Sequence, residues 1–298
     1  MKILILGGDG MLGHQLMLSL QSHFNVRATL RQNSAAYQDY PLFQGKNHYF
    51  GVDVQSEDNL IRVLSDYKPD ALINAVGFIK QRKIANEAIP NIEMNALLPH
   101  RLALLCQKWN TRLIHISTDC VFSGKKGNYS EQDISDAEDF YGKSKFLGEV
   151  DYPGCVTFRT SFIGLELARK TSLLEWFLKQ QGEINGYCNA IYTGITTIEM
   201  ANVCKHVLLN YPDLRGVWHV ASEPISKYEL LTRLQVLLKR DDIKIKPDKL
   251  FICDRSLQGY AFEKKTAYRI PDWNNMLKEL VIQINQREVK YEEQSCSA

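Results

Sequence analysis

The sequence has no excess charge of either sign, no long apolar run and no regularly spaced cysteines. Thirty-six Lys plus Arg stand against thirty-four Asp plus Glu in 298 residues, a formal net charge of +2. That balance calls for neither nucleic acid nor an anionic membrane as partner. The seven cysteines are scattered, odd in number and without C-x-x-C spacing, so neither a disulfide framework nor a zinc site is suggested, and no metal is expected. A reducing cytoplasm is the simple compartment. The apolar run Ile3 to Leu6 meets glycines at once and is too short for a signal peptide or a membrane span. Repeats and low-complexity segments are also missing. What is left, 45% hydrophobic and 23% charged, describes an ordinary globular chain, long enough for one large domain or two interlocked ones.

The opening reads Lys2-Ile3-Leu4-Ile5-Leu6, then Gly7-Gly8-Asp9-Gly10-Met11-Leu12-Gly13, then Leu12, Leu16 and Leu20 at helical spacing. A continuous apolar run is the mark of a strand buried on both faces. Gly7, Gly10 and Gly13 suit a tight turn, close approach of a pyrophosphate and close helix-on-strand packing, with a helix N-terminus facing the phosphates. The alternative is a glycine-rich turn with no ligand. A second strand, Val26 to Leu30, is followed by Arg31, where NAD sites usually carry an acid; an arginine suits a 2′-phosphate, which favours NADPH over NADH. Residues 32 to 48 read as loop. A third strand, Tyr49 to Val52, ends in Asp53-Val54 at the edge where adenine usually lies, and Ser56 can cap the next helix. A fourth, Ala71 to Val76, runs into Gly77, and the small residues let a cofactor lie close to the backbone. After a polar loop over 78 to 90, Ile92 to Trp109 has helical spacing, with Pro99 set to kink or delay it.

The fifth strand, Arg112 to Ser117, delivers Thr118-Asp119-Cys120 to its carboxyl end, where catalytic hydroxyls belong in such sheets. On the next helix Tyr141 and Lys145 stand four residues apart and so share a face. The amine is expected to favour phenolate and draw the tyrosine pKa from about 10 toward neutrality, giving a group that trades protons with a carbonyl or alcohol. An ordinary surface Tyr/Lys pair is the bland alternative. Farther on, Val156 to Thr160 and Val217 to Ala221 read as strands, and 172–181, 196–210 and 226–239 as helices. His219 reads as a core histidine, Asp241 to Lys249 as a solvated connection or edge strand, and the chain after Glu288 as frayed. The expected fold is α/β, a Rossmann-type doubly wound parallel sheet with a smaller, intertwined C-terminal substrate-binding domain. Residues 1–160 form the dinucleotide domain and 161–290 mainly the substrate domain, with a return strand near 217–221 and a tail at 291–298.

Gly7-x-x-Gly10-x-x-Gly13, Asn74-Ala75-Val76-Gly77, Met94-Asn95-Ala96, Ser117-Thr118-Asp119-Cys120-Val121-Phe122-Ser123-Gly124 and Tyr141-x-x-x-Lys145 together resemble the extended short-chain dehydrogenase/reductases, and within them the dTDP-4-dehydrorhamnose reductase family. The resemblance implies NADPH-dependent reduction of a nucleotide-linked 4-keto-6-deoxy sugar in deoxysugar and polysaccharide biosynthesis, with a homodimer left open. Tyr141 then protonates the carbonyl, Thr118 positions it, and Lys145 tunes the tyrosine and holds the nicotinamide ribose. The cofactor set implied is Gly7, Gly10, Met11, Leu12, Gly13, Arg31, Asp53, Val54, Ala75, Val76, Gly77, Asn95 and Lys145; Thr118, Asp119, Cys120, Tyr141 and Phe162 face the substrate. Cys120 stands where the family usually has tyrosine, and Phe162 where an aromatic, commonly tryptophan, follows Arg159-Thr160-Ser161. Both departures leave the sugar and the stereochemistry open. An epimerase or dehydratase, and a regulatory subunit that binds a dinucleotide without catalysis, are the competing readings.

Overall fold

A computed structural model describes residues 1–45, 48–78, 87–168 and 170–296, with side chains through Arg287. In chain order the elements are β1 (Lys2–Leu6), α1 (Met11–Leu20), β2 (Asn25–Thr29), β3 (His48–Tyr49), α2 (Glu57–Tyr67), β4 (Ala71–Asn74), α3 (Ala88–Asn91), α4 (Leu98–Lys108), β5 (Arg112–Thr118), α5 (Phe140–Leu147), β6 (Cys155–Thr160), β7 (Phe162–Ile163), α6 (Leu173–Leu178), β8 (Gly182–Tyr192), β9 (Ile195–Thr196), α7 (Thr197–Asn210), β10 (Gly216–His219), β11 (Ile225–Ser226), α8 (Lys227–Leu237), β12 (Ile243–Asp254), α9 (Tyr260–Thr266) and α10 (Trp273–Cys296). The main sheet has the order β10-β6-β5-β4-β1-β2-β3, and its pairings are parallel. Side chains alternate across a strand, and β1 buries both of its faces: Ile3 and Ile5 pack into one core, Leu4 and Leu6 into another. The first core is closed by residues of α1, α7 and α10, the second by residues of α2 and α4. From β1 the chain runs outward to β2 and β3, then returns past β1 to β4. The crevice at that reversal lies beyond the carboxyl ends of β1 and β4, where sheets of this kind bind ligands. A smaller sheet, β11-β8-β12, and the pair β7-β9 stand beyond it in the chain.

Several elements differ from the sequence expectation. The third strand is shorter and starts earlier, at His48, because Gly51 takes a positive φ (65°) and turns the chain. The fourth stops at Asn74, whose side-chain oxygen accepts from the Val76 amide at 3.1 Å and bends the backbone. Helix begins at Ala88, ahead of the expected Ile92, and Ile92–Leu97 is a π segment leading straight into Pro99. Proline has no N–H to give to the Asn95 carbonyl four residues back. Gly148 packs on that carbonyl so closely that any Cβ there would collide with it. Of the loop expected over 78–90, residues 79–86 lie outside the described residues. The segment after Arg31 contains 3₁₀ turns at Ser34–Tyr37 and Pro41–Phe43 that bury Tyr37 and Phe43. From Ile243 onward the stretch Asp241 to Lys249 does form an edge strand, the long β12, whereas helix α10 continues past Glu288 in place of a frayed end.

Beneath the carboxyl end of the sheet sits a buried charge network. Arg159 donates from Nε and Nη2 to the two oxygens of Glu149, both at 2.7 Å, and Ser117 Oγ donates to Glu149 at 2.7 Å. Both side chains of the pair are about 5% exposed. Arg159 Nη1 faces His219 Nε2 at 3.2 Å; the histidine is fully buried, as a core residue. Burial, helped by the Arg159 charge, pushes its imidazole down to about 3. Below about pH 6.5 the unfolded chain therefore takes up a proton that the folded one refuses, and stability falls with pH until about pH 3. At pH 5 the loss from His219 alone is about 2 kcal/mol. Thermal melts at pH 7.5 and pH 5 should show this decrement shrinking by that amount in His219→Gln; an unchanged decrement refutes it.

Candidate active site

Gly7 ends β1 with φ 78°, and the space beside it is taken by Val76: a Cβ there would lie 2.8 Å from that side chain. A Cβ on Gly13 would run into the Gly7 carbonyl. These two positions hold the first turn of α1 against the end of β1. Gly10 is the N-cap of α1 and brings no side chain to its first amides, which leaves that positive end for a phosphate. A groove runs from here along the sheet edge. One half is lined by Gly7, Gly10, Arg31, Asp53, Val54 and Ala75–Gly77. The other half is lined by Met11, Leu12, Ala75–Gly77 and then by Thr118, Asp119, Cys120, Tyr141, Lys145 and Phe162. Shared Ala75, Val76 and Gly77 make the two halves continuous.

Helix α5 carries the tyrosine and lysine. Asp139 caps it, accepting from the Gly142 amide at 2.8 Å. Gly142 lies so close to the Cys120 carbonyl that a side chain would collide, and Gly148 presses on Asn95 from the other end. The absence of two side chains thus seats α5 between the turn after β5 and the π segment. Asn95 lines neither half of the groove. It accepts from the Phe78 amide at 2.9 Å and donates to Asn91 at 3.1 Å and Ser144 at 3.3 Å, which makes it a support for the segments carrying Gly77 and Lys145. Gly13 likewise lies behind the groove.

The electrostatics correct one expectation. Lys145 Nζ donates to the Ile116 carbonyl at 2.6 Å, and burial lowers its pKa to about 8, opposed by the Glu149 charge. Tyr141 is not acidified. Burial pushes its phenol upward, neighbouring Cys120 and Asp119 add to this, and the Thr118 hydroxyl opposes it. Desolvation is the leading cause. At neutral pH the groove therefore presents a phenol that keeps its proton beside Thr118, whose hydroxyl donates to Asp119 at 3.1 Å and accepts from the Cys120 amide at 3.1 Å. Asp119 is itself buried, and desolvation raises its pKa against the pull of Arg255.

Sequence reasoning missed Tyr192 and Lys227, which line the same compartment. They come from β8 and α8, far along the chain. Ser226 accepts from the Glu229 amide at 3.0 Å, so the Ser-x-x-Glu spacing marks where α8 begins; nothing in the spacing says that its first residue faces a groove.

The sequence profile of the family described as RmlD substrate binding domain matches residues 1–249. The chain belongs to that family. Among similar proteins, this RmlD-family chain is 31% identical over 242 residues to the spore coat polysaccharide biosynthesis protein SpsK of Bacillus subtilis, covering 78% of each. It is 25% identical over 245 residues to a dTDP-4-dehydrorhamnose reductase of Aggregatibacter actinomycetemcomitans, covering 76% of each. It is also 25% identical over 244 residues to the methionine adenosyltransferase 2 subunit beta of Danio rerio, covering 77% of this chain and 71% of that one. The crystal structure of dTDP-4-dehydrorhamnose reductase from Bacillus anthracis in complex with NADP superposes with a TM-score of 0.77 at 17% identity, covering 95% of this chain and 99% of that one. Among the described residues, no helix is long and apolar enough to cross a membrane.

Proposed function

We propose that this RmlD-family chain is an NADPH-dependent reductase of a nucleotide-linked 4-keto-6-deoxy sugar, working in deoxysugar or polysaccharide biosynthesis. The observation that carries the reading is the single groove that begins at an uncapped helix N-terminus and ends on Thr118, Tyr141 and Lys145. Residues 1–160 carry the dinucleotide: Gly7, Gly10, Met11 and Leu12 the pyrophosphate, Arg31, Asp53 and Val54 the adenosine end, Ala75 to Gly77 the middle, Lys145 the nicotinamide ribose. Residues 161–290 mainly hold the sugar, together with Asp119, Cys120 and Phe162. When bound, the dihydronicotinamide supplies a hydride to the carbonyl carbon. Tyr141 gives its proton to the carbonyl oxygen, the Thr118 hydroxyl turns its one hydrogen from Asp119 to the same oxygen, and Lys145 supplies a positive charge in the same compartment. The phenol is protonated at neutral pH, as this direction requires. The near-neutral surface fits a cytoplasmic enzyme, acting as a homodimer, with neither nucleic acid nor membrane as partner.

The test is to mix the protein with NADPH and a panel of nucleotide-linked 4-keto sugars and follow the absorbance of the reduced nicotinamide. A reductase consumes NADPH in proportion to sugar. An epimerase or dehydratase gives no net oxidation, and Cys120 in place of a carboxylate after Asp119 disfavours elimination. The likeness to the zebrafish subunit favours a second, non-catalytic reading, in which the dinucleotide binds and no sugar is reduced; a binding module has no need of all three of Thr118, Tyr141 and Lys145. Arg31→Ala should weaken NADPH more than NADH, because only the former carries the extra phosphate. Equal weakening in titration calorimetry would return the assignment to NADH.

A further inference from the structure

The substrate compartment holds two donors that the proposed chemistry leaves idle. Lys227, the first residue of α8, lines the groove and lies 4.7 Å over the ring of Tyr192. Among the described residues, its ammonium makes no hydrogen bond or ion pair. The Tyr192 hydroxyl is buried without a hydrogen-bond partner, on a side chain only 5% exposed. A buried hydroxyl left unpaired is costly, and on a residue that lines the groove a ligand atom can supply the missing partner. Asp119 is the acid that both sense, but among the described residues no hydrogen bond or ion pair joins it to either. Arg255, the other nearby cation, is engaged with backbone, donating to Phe122 O at 2.8 Å and Ser123 O at 3.3 Å. Cys120, which lines the same compartment, offers a thiol side chain, a weak donor.

We infer that Lys227 and Tyr192 read the sugar: together they hold a hydrogen-bond-accepting oxygen of the hexose, and Lys227 is the residue that sets which hexose is accepted. This rests on the reductase reading. Lys227 lines the same end of the groove as Thr118 and Tyr141, so its amine meets the ring that carries the reacting carbonyl rather than the distant nucleotide. The acceptor is a ring hydroxyl or a carboxylate; an ammonium serves either, and the two are separated by assay. Losing one partner of a buried, charge-assisted hydrogen bond strands the other, which is the physical basis of sharp discrimination.

Equilibrium binding to the NADP⁺-loaded protein tests this. The probes are a nucleotide-linked hexose, its analogues lacking single hydroxyls, a nucleotide-linked uronate and the bare nucleoside diphosphate. Lys227→Met is expected to weaken the nucleotide-linked hexose or uronate at least tenfold while the bare diphosphate and NADPH bind as before. The analogue lacking the contacted hydroxyl should bind equally to both proteins. Lys227→Arg should recover part of the loss, and Tyr192→Phe should show a smaller loss on the same probe. In turnover the effect falls on KM more than on kcat. Equal weakening of the bare diphosphate would assign Lys227 to the phosphates and overturn the inference, as would a Lys227→Met protein with unchanged sugar affinity. An unchanged protein that binds none of the nucleotide sugars overturns the reductase reading together with it.

Discussion

Replacing Tyr141 by phenylalanine is expected to cut NADPH-driven turnover at least about a hundredfold, the scale of losing a general acid, while NADPH binds with unaltered affinity. The exchange removes one oxygen from a ring that α5 holds in place by backbone contacts. Gly142 against Cys120 and the Asp139 cap fix the helix, and neither involves the hydroxyl. Because burial keeps the phenol protonated, the lost atom is the one carrying the proton the product alcohol needs. Stopped-flow turnover and a separate NADPH titration check both halves. A loss under threefold would sink the proton-donor assignment; a parallel loss of NADPH affinity would mean that the ring had moved.

Glu149→Ala should lower stability by roughly 3–5 kcal/mol, the usual cost of stranding one member of a buried ion pair. Arg159 would keep its charge in a site about 5% exposed, with His219 next to it and no carboxylate to accept from Nε and Nη2. Ser117 would lose its acceptor as well. Chemical denaturation gives the free energy, and the melting temperature should drop on the order of 10 °C. Removing both charges at once, in Glu149→Leu with Arg159→Met, should cost less than Glu149→Ala alone. A single-variant loss below about 1 kcal/mol would show the pair to be solvated when the protein breathes.

The parts of the fold and site that could be read in advance are those in which the needed residues are neighbours in sequence. The glycine turn after β1, the Thr118 strand end and the Tyr141/Lys145 face each fit within a dozen residues, and local spacing fixes their geometry. Tyr192 and Lys227 could not be read in this way, since only the path of β8 and α8 brings them to Asp119. Strand β8 is itself hard to read because Gly182, Asn185, Gly186 and Asn189 weaken its strand pattern. The direction of the phenol's pKa shift is illegible in the sequence for a related reason. Spacing shows that an amine is close, but the degree of dryness around the pair depends on the whole fold, and here dryness wins.

Strand β10, which completes the main sheet beside β6, and helix α10, whose Gln283 donates to Gln15 of α1 at 2.6 Å, both come from the second half of the chain. During synthesis the ribosome therefore releases a half-built sheet, with an oily side of its first helix uncovered, well before the pieces that shield it have emerged. Slow translation or premature termination in that interval would leave a sticky nascent chain for chaperones to hold, and the groove lacks the wall made by Tyr192 and Lys227 until β8 and α8 have been made.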